Sequence, residues 1–102
     1  SGLGRDIYIT GHCANENSGS AEATLVCAAM TTLAQTIAQN VFDSEDTGDT
    51  DIIDVTLRSG QAVISYVTDD DGLNTVVDGI CKGFDMLDEN YPEYVSCCRS
   101  ER

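Results

Sequence analysis

His12 and Cys27 are the two residues of this sequence whose types suit nucleophilic catalysis together. A thiol attacks a carbonyl carbon as the thiolate, and an imidazolium beside the sulfur stabilises that form. His12 is the one histidine of the chain and follows Gly11, which ends a run typical of a strand. Cys27 lies in an apolar run, and a lone cysteine in a helix is more often a small core residue. The spacing alone therefore leaves both interpretations open.

The chain has five cysteines, and the other four are Cys13, Cys81, Cys97 and Cys98. They form no Cys-x-x-Cys pair, the spacing of zinc ribbons and thioredoxin-like motifs. The N-terminus shows neither the basic nor the apolar region of a secretory leader. We therefore expect five reduced thiols in a cytoplasmic protein, with neither a metal nor a cofactor. Cys13 is interpreted as a packing or incidental residue, although its position beside the histidine makes it a rival thiol.

The excess of acidic residues restricts the kinds of molecule that the protein can bind. The 102 residues include 18 Asp and Glu against 5 Lys and Arg, a formal net charge of -13. Nucleic-acid binding needs a concentrated basic surface, so we expect no nucleic-acid partner. No apolar run approaches the roughly 20 residues that cross a bilayer, so we expect no membrane partner. A basic polypeptide is the partner that this charge favours.

The pattern of apolar residues predicts the elements that must position the pair. Residues 6–10 alternate as a strand does, and a long polar loop follows over 11–22. Apolar residues recur every three or four positions over 23–42, which predicts a helix. Residues 52–58 and 61–67 predict two strands joined at Ser59-Gly60, with 43–51 as an acidic loop before them. Asp69, Asp70 and Asp71 precede a second helix, which ends before Tyr91-Pro92.

These elements predict one domain over residues 1–102, with 1–5 and 96–102 as flexible ends and a short edge strand at 94–95. The fold class is α/β of the α+β type. We expect a small sheet of about four strands, mixed or antiparallel, with two main helices.

Three segments of the chain resemble the ribosomal-processing cysteine protease family, Prp. They are Ile-Thr-Gly-His at 9–12, Leu-Val-Cys-Ala-Ala-Met-Thr at 25–31 and Asn-Tyr-Pro-Glu-Tyr-Val at 90–95. The resemblance runs from about residue 6 to 95. It implies a small α/β homodimer in which His12 is the base and Cys27 the nucleophile. It also implies supporting or substrate-binding roles for Gly11, Thr24 and Thr31.

The sequence departs from the family pattern near the cysteine. Thr24 stands where the family usually has Asp, so a carboxylate that would tune the dyad is missing. Thr31 stands where the family usually has Ser and keeps the hydroxyl group. The loop between His12 and Cys27 is longer than usual in the family.

The resemblance implies a cysteine endopeptidase that cleaves a basic protein segment, such as the N-terminal extension of a large-subunit ribosomal protein. An oxyanion hole is expected from backbone N–H groups near Gly11 or at the start of the first helix. The alternative is a weak or inactive relative that uses its acidic surface to bind a ribosomal or phage structural protein. The missing Asp favours this alternative, and the retained His12, Cys27 and Thr31 favour the protease.

Overall fold

Two helices and four strands are present within residues 3–11, 21–58 and 60–101, which the computed structural model describes. In chain order they are β1 (Leu3–Gly11), α1 (Ala21–Asp46), β2 (Thr50–Arg58), β3 (Gln61–Thr68), α2 (Asp71–Asn90) and β4 (Val95–Glu101). The strands form one antiparallel sheet in the order β2-β3-β1-β4. This confirms the predicted α+β class.

The two helices pack against one face of the sheet. Strand side chains alternate between faces, so Ile7 and Ile9 of β1 share the buried face with Ile64 and Tyr66 of β3. The predicted stripe of α1 faces them, and its members Val26, Met30, Ile37 and Val41 are buried. Leu73, Val77, Cys81 and Phe84 make the corresponding buried stripe of α2. The core therefore lies between the sheet and both helices, and β1 crosses its centre.

Local signals place the hairpin and the second helix as predicted. Gly60 has φ +78°, a conformation that glycine adopts without steric cost, in the turn between β2 and β3. Asp70 caps α2, because its Oδ1 accepts a hydrogen bond of 2.8 Å from the Gly72 N–H. β2 contains an irregularity between Ile52 and Asp54. Ile52 therefore packs against the core in place of Ile53, which is 48% exposed.

The expected flexible ends are wrong, because residues 3–5 belong to β1 and residues 95–101 form β4. β4 pairs with β1 from Val95 opposite Gly11 to Glu101 opposite Arg5. Contacts of two of its residues with the rest of the fold stabilise β4. Val95 is buried, and Arg99 donates a hydrogen bond of 2.9 Å to Asp85 of α2. A polar run with one apolar end thus becomes an edge strand through contacts with distant residues.

The predicted acidic loop is shorter than expected, because α1 continues to Asp46 and β2 begins at Thr50. Buried hydroxyl groups join the two elements. Ser44 and Thr50 are hydrogen-bonded at 2.6 Å, and Thr50 bonds Thr68 at 2.8 Å. These bonds replace the hydration that the hydroxyl groups lose on burial.

Among the helices of the described residues, α1 is the one that is long and apolar enough to cross a bilayer, with a mean hydropathy of 1.2 over its most apolar window. The core helix of a globular domain passes the same test. Here Val26, Ile37 and Val41 of α1 are buried against the rest of the fold, which accounts for its apolar character.

An ion pair fastens the start of β1 to α2. The Arg5 guanidinium, with a side chain only 13% exposed, donates to the Asp78 carboxylate and also lies 3.4 Å from the Glu101 carboxylate. The hydrogen bond from Arg5 holds the pKa of Asp78 below its ordinary value. A lowered carboxyl pKa stabilises the fold above the ordinary pKa, and this stabilisation disappears as the pH falls through the folded-state value.

We expect Asp78→Asn to lower the free energy of unfolding at pH 7 by up to about 1 kcal/mol, a small value because half of the Asp78 side chain is exposed. The difference from wild type should shrink as the pH falls below about 4, where the wild-type carboxylate also becomes protonated. Urea unfolding of both proteins at a series of pH values measures this difference in the free energy of unfolding. Glu89→Gln, an exposed position on the same helix, is the matched control. A difference that does not change with pH would assign the effect to packing instead.

Candidate active site

The end of β1 contacts α1 through the side chain of Met30, which lies one helical turn after Cys27. Cys27 is the seventh residue of the helix and is partly buried. Met30, one turn further on, is buried, and its Sδ would lie 2.7 Å from a Cβ added to Gly11. The absence of a side chain at Gly11 therefore permits the contact between β1 and this turn. Cys27 lies too far from the helix N-terminus for the helix dipole to stabilise a thiolate strongly, since that effect fades within the first turn.

The predicted supporting residues share the helix face of Cys27. Thr24, Cys27 and Thr31 are spaced by three and four residues, so they lie in one row along α1. The Thr31 hydroxyl donates a hydrogen bond of 2.8 Å to the Cys27 carbonyl oxygen. The Thr31 hydroxyl group is therefore hydrogen-bonded within the helix. Thr24 is exposed in the first turn.

His12 and Cys13 lie outside the described residues. Of the predicted site residues, the structure thus places Gly11, Thr24, Cys27 and Thr31 in one region, where the end of β1 approaches α1. The backbone N–H of Gly11 donates to the Gly60 carbonyl oxygen at 2.8 Å. This N–H is therefore engaged within the fold, and the expectation of oxyanion donors near Gly11 or at the start of α1 stays a prediction. The N–H groups at the start of α1, which have no acceptor within the helix, are the other predicted source.

The sulfur of Cys27 is in a disulfide bond, which corrects the expectation of five reduced thiols. The free thiols of the described residues are those of Cys81, Cys97 and Cys98. A sulfur in a disulfide is not a thiolate nucleophile, so attack on a substrate requires prior reduction.

Two of the free thiols are poor nucleophiles because of their surroundings. Burial raises the pKa of Cys81, which packs in the core. Burial and the neighbouring Cys81 raise the pKa of Cys97 to about 11. Since the thiolate is the reactive species, both thiols are expected to react slowly near neutral pH. Cys98 is exposed on β4.

A cavity of about 190 Å³ opens along α1, just beyond Cys27, between the helix and the β2–β3 hairpin. Its buried lining is apolar and consists of Ile9, Met30, Ala34 and Ala62. Its exposed lining is mostly polar and consists of Thr31, Gln35, Leu57, Arg58 and Gln61. Pockets for drug-sized ligands measure about 300–1,000 Å³, so this volume suits a single side chain. Apart from Thr31, no motif in the sequence singled out these polar residues.

No group of three or more His, Cys, Asp or Glu side chains within the described ranges is arranged to hold a metal ion. The candidate site consists of Cys27, the helix turn that carries it and the adjoining cavity. Once reduced, a cysteine beside a pocket of side-chain size is suited to attack on a peptide.

The family comparison assigns the chain to a class. A family model described as cysteine protease Prp matches residues 2–96. No curated protein matches the chain. Because the family model covers nearly the whole sequence, the chain belongs to the cysteine protease Prp family, and the resemblance noted in the sequence is confirmed. It is accordingly a cysteine protease, a hydrolase.

Proposed function

We propose that the protein is an endopeptidase in which His12 and Cys27 form the catalytic dyad. The observation that carries this proposal is the packing of Gly11 against Met30. His12 is bonded to Gly11, and Cys27 lies one helical turn before Met30. The backbone next to the histidine thus contacts a side chain that lies one helical turn from the cysteine. This supports a meeting of the two side chains that the sequence spacing alone did not require.

Before the reaction, a dithiol reductant cleaves the Cys27 disulfide to two thiols by thiol–disulfide exchange and is itself oxidised to a disulfide. The thiolate then attacks the carbonyl carbon of the scissile peptide bond, and the imidazolium of His12 donates its proton to the leaving amine. Water, deprotonated by His12, hydrolyses the thioester and regenerates the thiol. Donors at the start of α1 are the candidates for stabilising the oxyanion of each tetrahedral intermediate.

We propose a basic protein segment as the substrate, such as the N-terminal extension of a large-subunit ribosomal protein, processed in the cytoplasm. The formal net charge of -13 supports a cationic substrate, because opposite charges raise the rate of encounter. A phage structural protein with a basic segment would satisfy the same requirement.

We also propose a homodimer. Leu25 of α1 is 70% exposed and Met86 of α2 is 63% exposed. Both line an apolar groove between the helices together with Ala28, Ala29, Leu33 and Leu87. Exposed apolar surface of this kind is typical of a contact with another protein. Sedimentation equilibrium should give twice the chain mass for wild type and a smaller mass for Leu25→Lys.

Incubation with a bacterial ribosomal-protein extract tests the proposed function. Reduced wild type should generate new protein termini, identified by mass spectrometry, that are absent with Cys27→Ala. These termini also give the cleavage-site preference. Circular dichroism must show that both proteins are folded. Capture of a basic protein without any Cys27-dependent terminus would instead support the inactive, acidic binding module.

A further inference from the structure

The cavity beside Cys27 has a cation at its mouth. Arg58, the last residue of β2, lies on the exposed side of the lining. The polar groups beside it come from Gln35, Gln61 and Thr31, and no carboxylate is among the described residues that line the cavity. Although the chain has 18 Asp and Glu, no acidic side chain within residues 3–11, 21–58 and 60–101 neutralises the guanidinium there.

The other arginines of the described residues are engaged by carboxylates. Arg5 pairs with Asp78 and Glu101, and Arg99 pairs with Asp85. Arg58 forms no ion pair within residues 3–11, 21–58 and 60–101. Lys82 is the remaining described cation without an ion pair, and it lies on α2, outside the cavity lining. Arg58 is therefore the one unpaired cation of the described residues that faces the candidate site.

We propose that Arg58 is a specificity-determining residue, which pairs with a carboxylate of the substrate next to a side chain seated in the cavity. This inference rests on the proposed function, because it takes the cavity as a substrate subsite. Planar guanidinium groups hold carboxylates by two parallel hydrogen bonds, which makes Arg the residue suited to this recognition. The apolar floor, formed by Ile9, Met30 and Ala62, would hold the neighbouring side chain.

The proposal adds a local exception to the preference for a basic substrate. The acidic protein attracts a cationic segment at long range, whereas Arg58 selects one acidic residue at short range. Long-range attraction changes the rate of encounter, and a short-range pair changes which residue is accepted at one position. The two effects therefore act on different parts of one substrate.

Short peptides that carry one Leu, flanked on either side by Glu, Gln or Lys, test the proposal. For one flanking position, reduced wild type should have a kcat/KM about tenfold higher with Glu than with Lys, as expected for a partly exposed ion pair replaced by a repulsion. Arg58→Gln should abolish this ratio and Arg58→Glu should invert it. Lys82→Gln is the matched control, because it removes an equal charge outside the cavity and should leave the ratio unchanged.

Binding of the same peptides to reduced Cys27→Ala, measured by fluorescence anisotropy, separates this proposal from the proposed function. Cleavage of the peptides with the same Glu-to-Lys ratio in wild type and Arg58→Gln would overturn the role of Arg58 and leave the protease intact. Absence of cleavage, with binding that still depends on Arg58 and Glu, would overturn the proposed function alone. Absence of both cleavage and binding would overturn both.

Discussion

Replacement of Cys27 with Ala is expected to reduce peptide cleavage by at least about 1,000-fold, the scale seen when a covalent nucleophile is removed from a protease. The effect is large because no other described thiol near the site can form the thioester. Cys81 is buried in the core, and Cys97 and Cys98 lie on β4. Initial rates on a peptide substrate, with reductant present, measure the loss.

Cys13→Ala is the matched control for this substitution, because it removes the thiol beside His12 and tests the rival nucleophile. We expect Cys13→Ala to keep substantial activity when reductant is present. The opposite pattern, an active Cys27→Ala and an inactive Cys13→Ala, would move the nucleophile to Cys13. Thermal unfolding of both variants shows whether a loss of activity reflects a loss of the fold.

Oxidised protein is expected to be at least about 100-fold less active than reduced protein, because a sulfur held in a disulfide supplies no thiolate. The disulfide at Cys27 is the observation behind this expectation. Addition of dithiothreitol should restore cleavage, and its removal under air should suppress it again. Intact mass spectrometry follows the disulfide in the same samples.

Cys98→Ala is the control for the reductant effect, because it removes an exposed thiol that lies on β4. This variant should respond to dithiothreitol as wild type does. Full activity in a sample whose mass shows the disulfide intact would contradict the expectation and would place the nucleophile elsewhere.

Much of the fold is encoded in local signals that a sequence displays directly. The hairpin at Gly60 and the cap at Asp70 depend on neighbouring residues, and both are found where predicted. β4 was predicted only as a short edge strand at 94–95, because the residues that continue it to Glu101 are mostly polar. Its order depends on pairing with β1 and on the contact between Arg99 and Asp85, residues that are distant in sequence. Partners of this kind are not visible in a local pattern.

The candidate site was predictable in its residue types and not in its surroundings. A histidine after a strand and a cysteine in an apolar helix pointed to a dyad, but the contact that supports it, Gly11 against Met30, joins β1 to α1 across 19 residues of sequence. The cavity has the same origin, since its lining comes from four elements, β1, α1, β2 and β3, and from the hairpin turn. The disulfide at Cys27 was also unexpected, because no cysteine spacing indicates it.

Covalent labelling tests the central proposal, an ion pair between Cys27 and His12, most directly. The reduced protein is treated with iodoacetamide over a range of pH, and peptide mapping gives the rate at each cysteine. Cys81 and Cys97, whose pKa values are raised by burial, serve as internal references. We expect Cys27 to react at pH values well below the ordinary thiol pKa of about 8.5, and His12→Ala to move its profile up to that value. A Cys27 profile centred near 8.5 in both proteins would contradict the dyad.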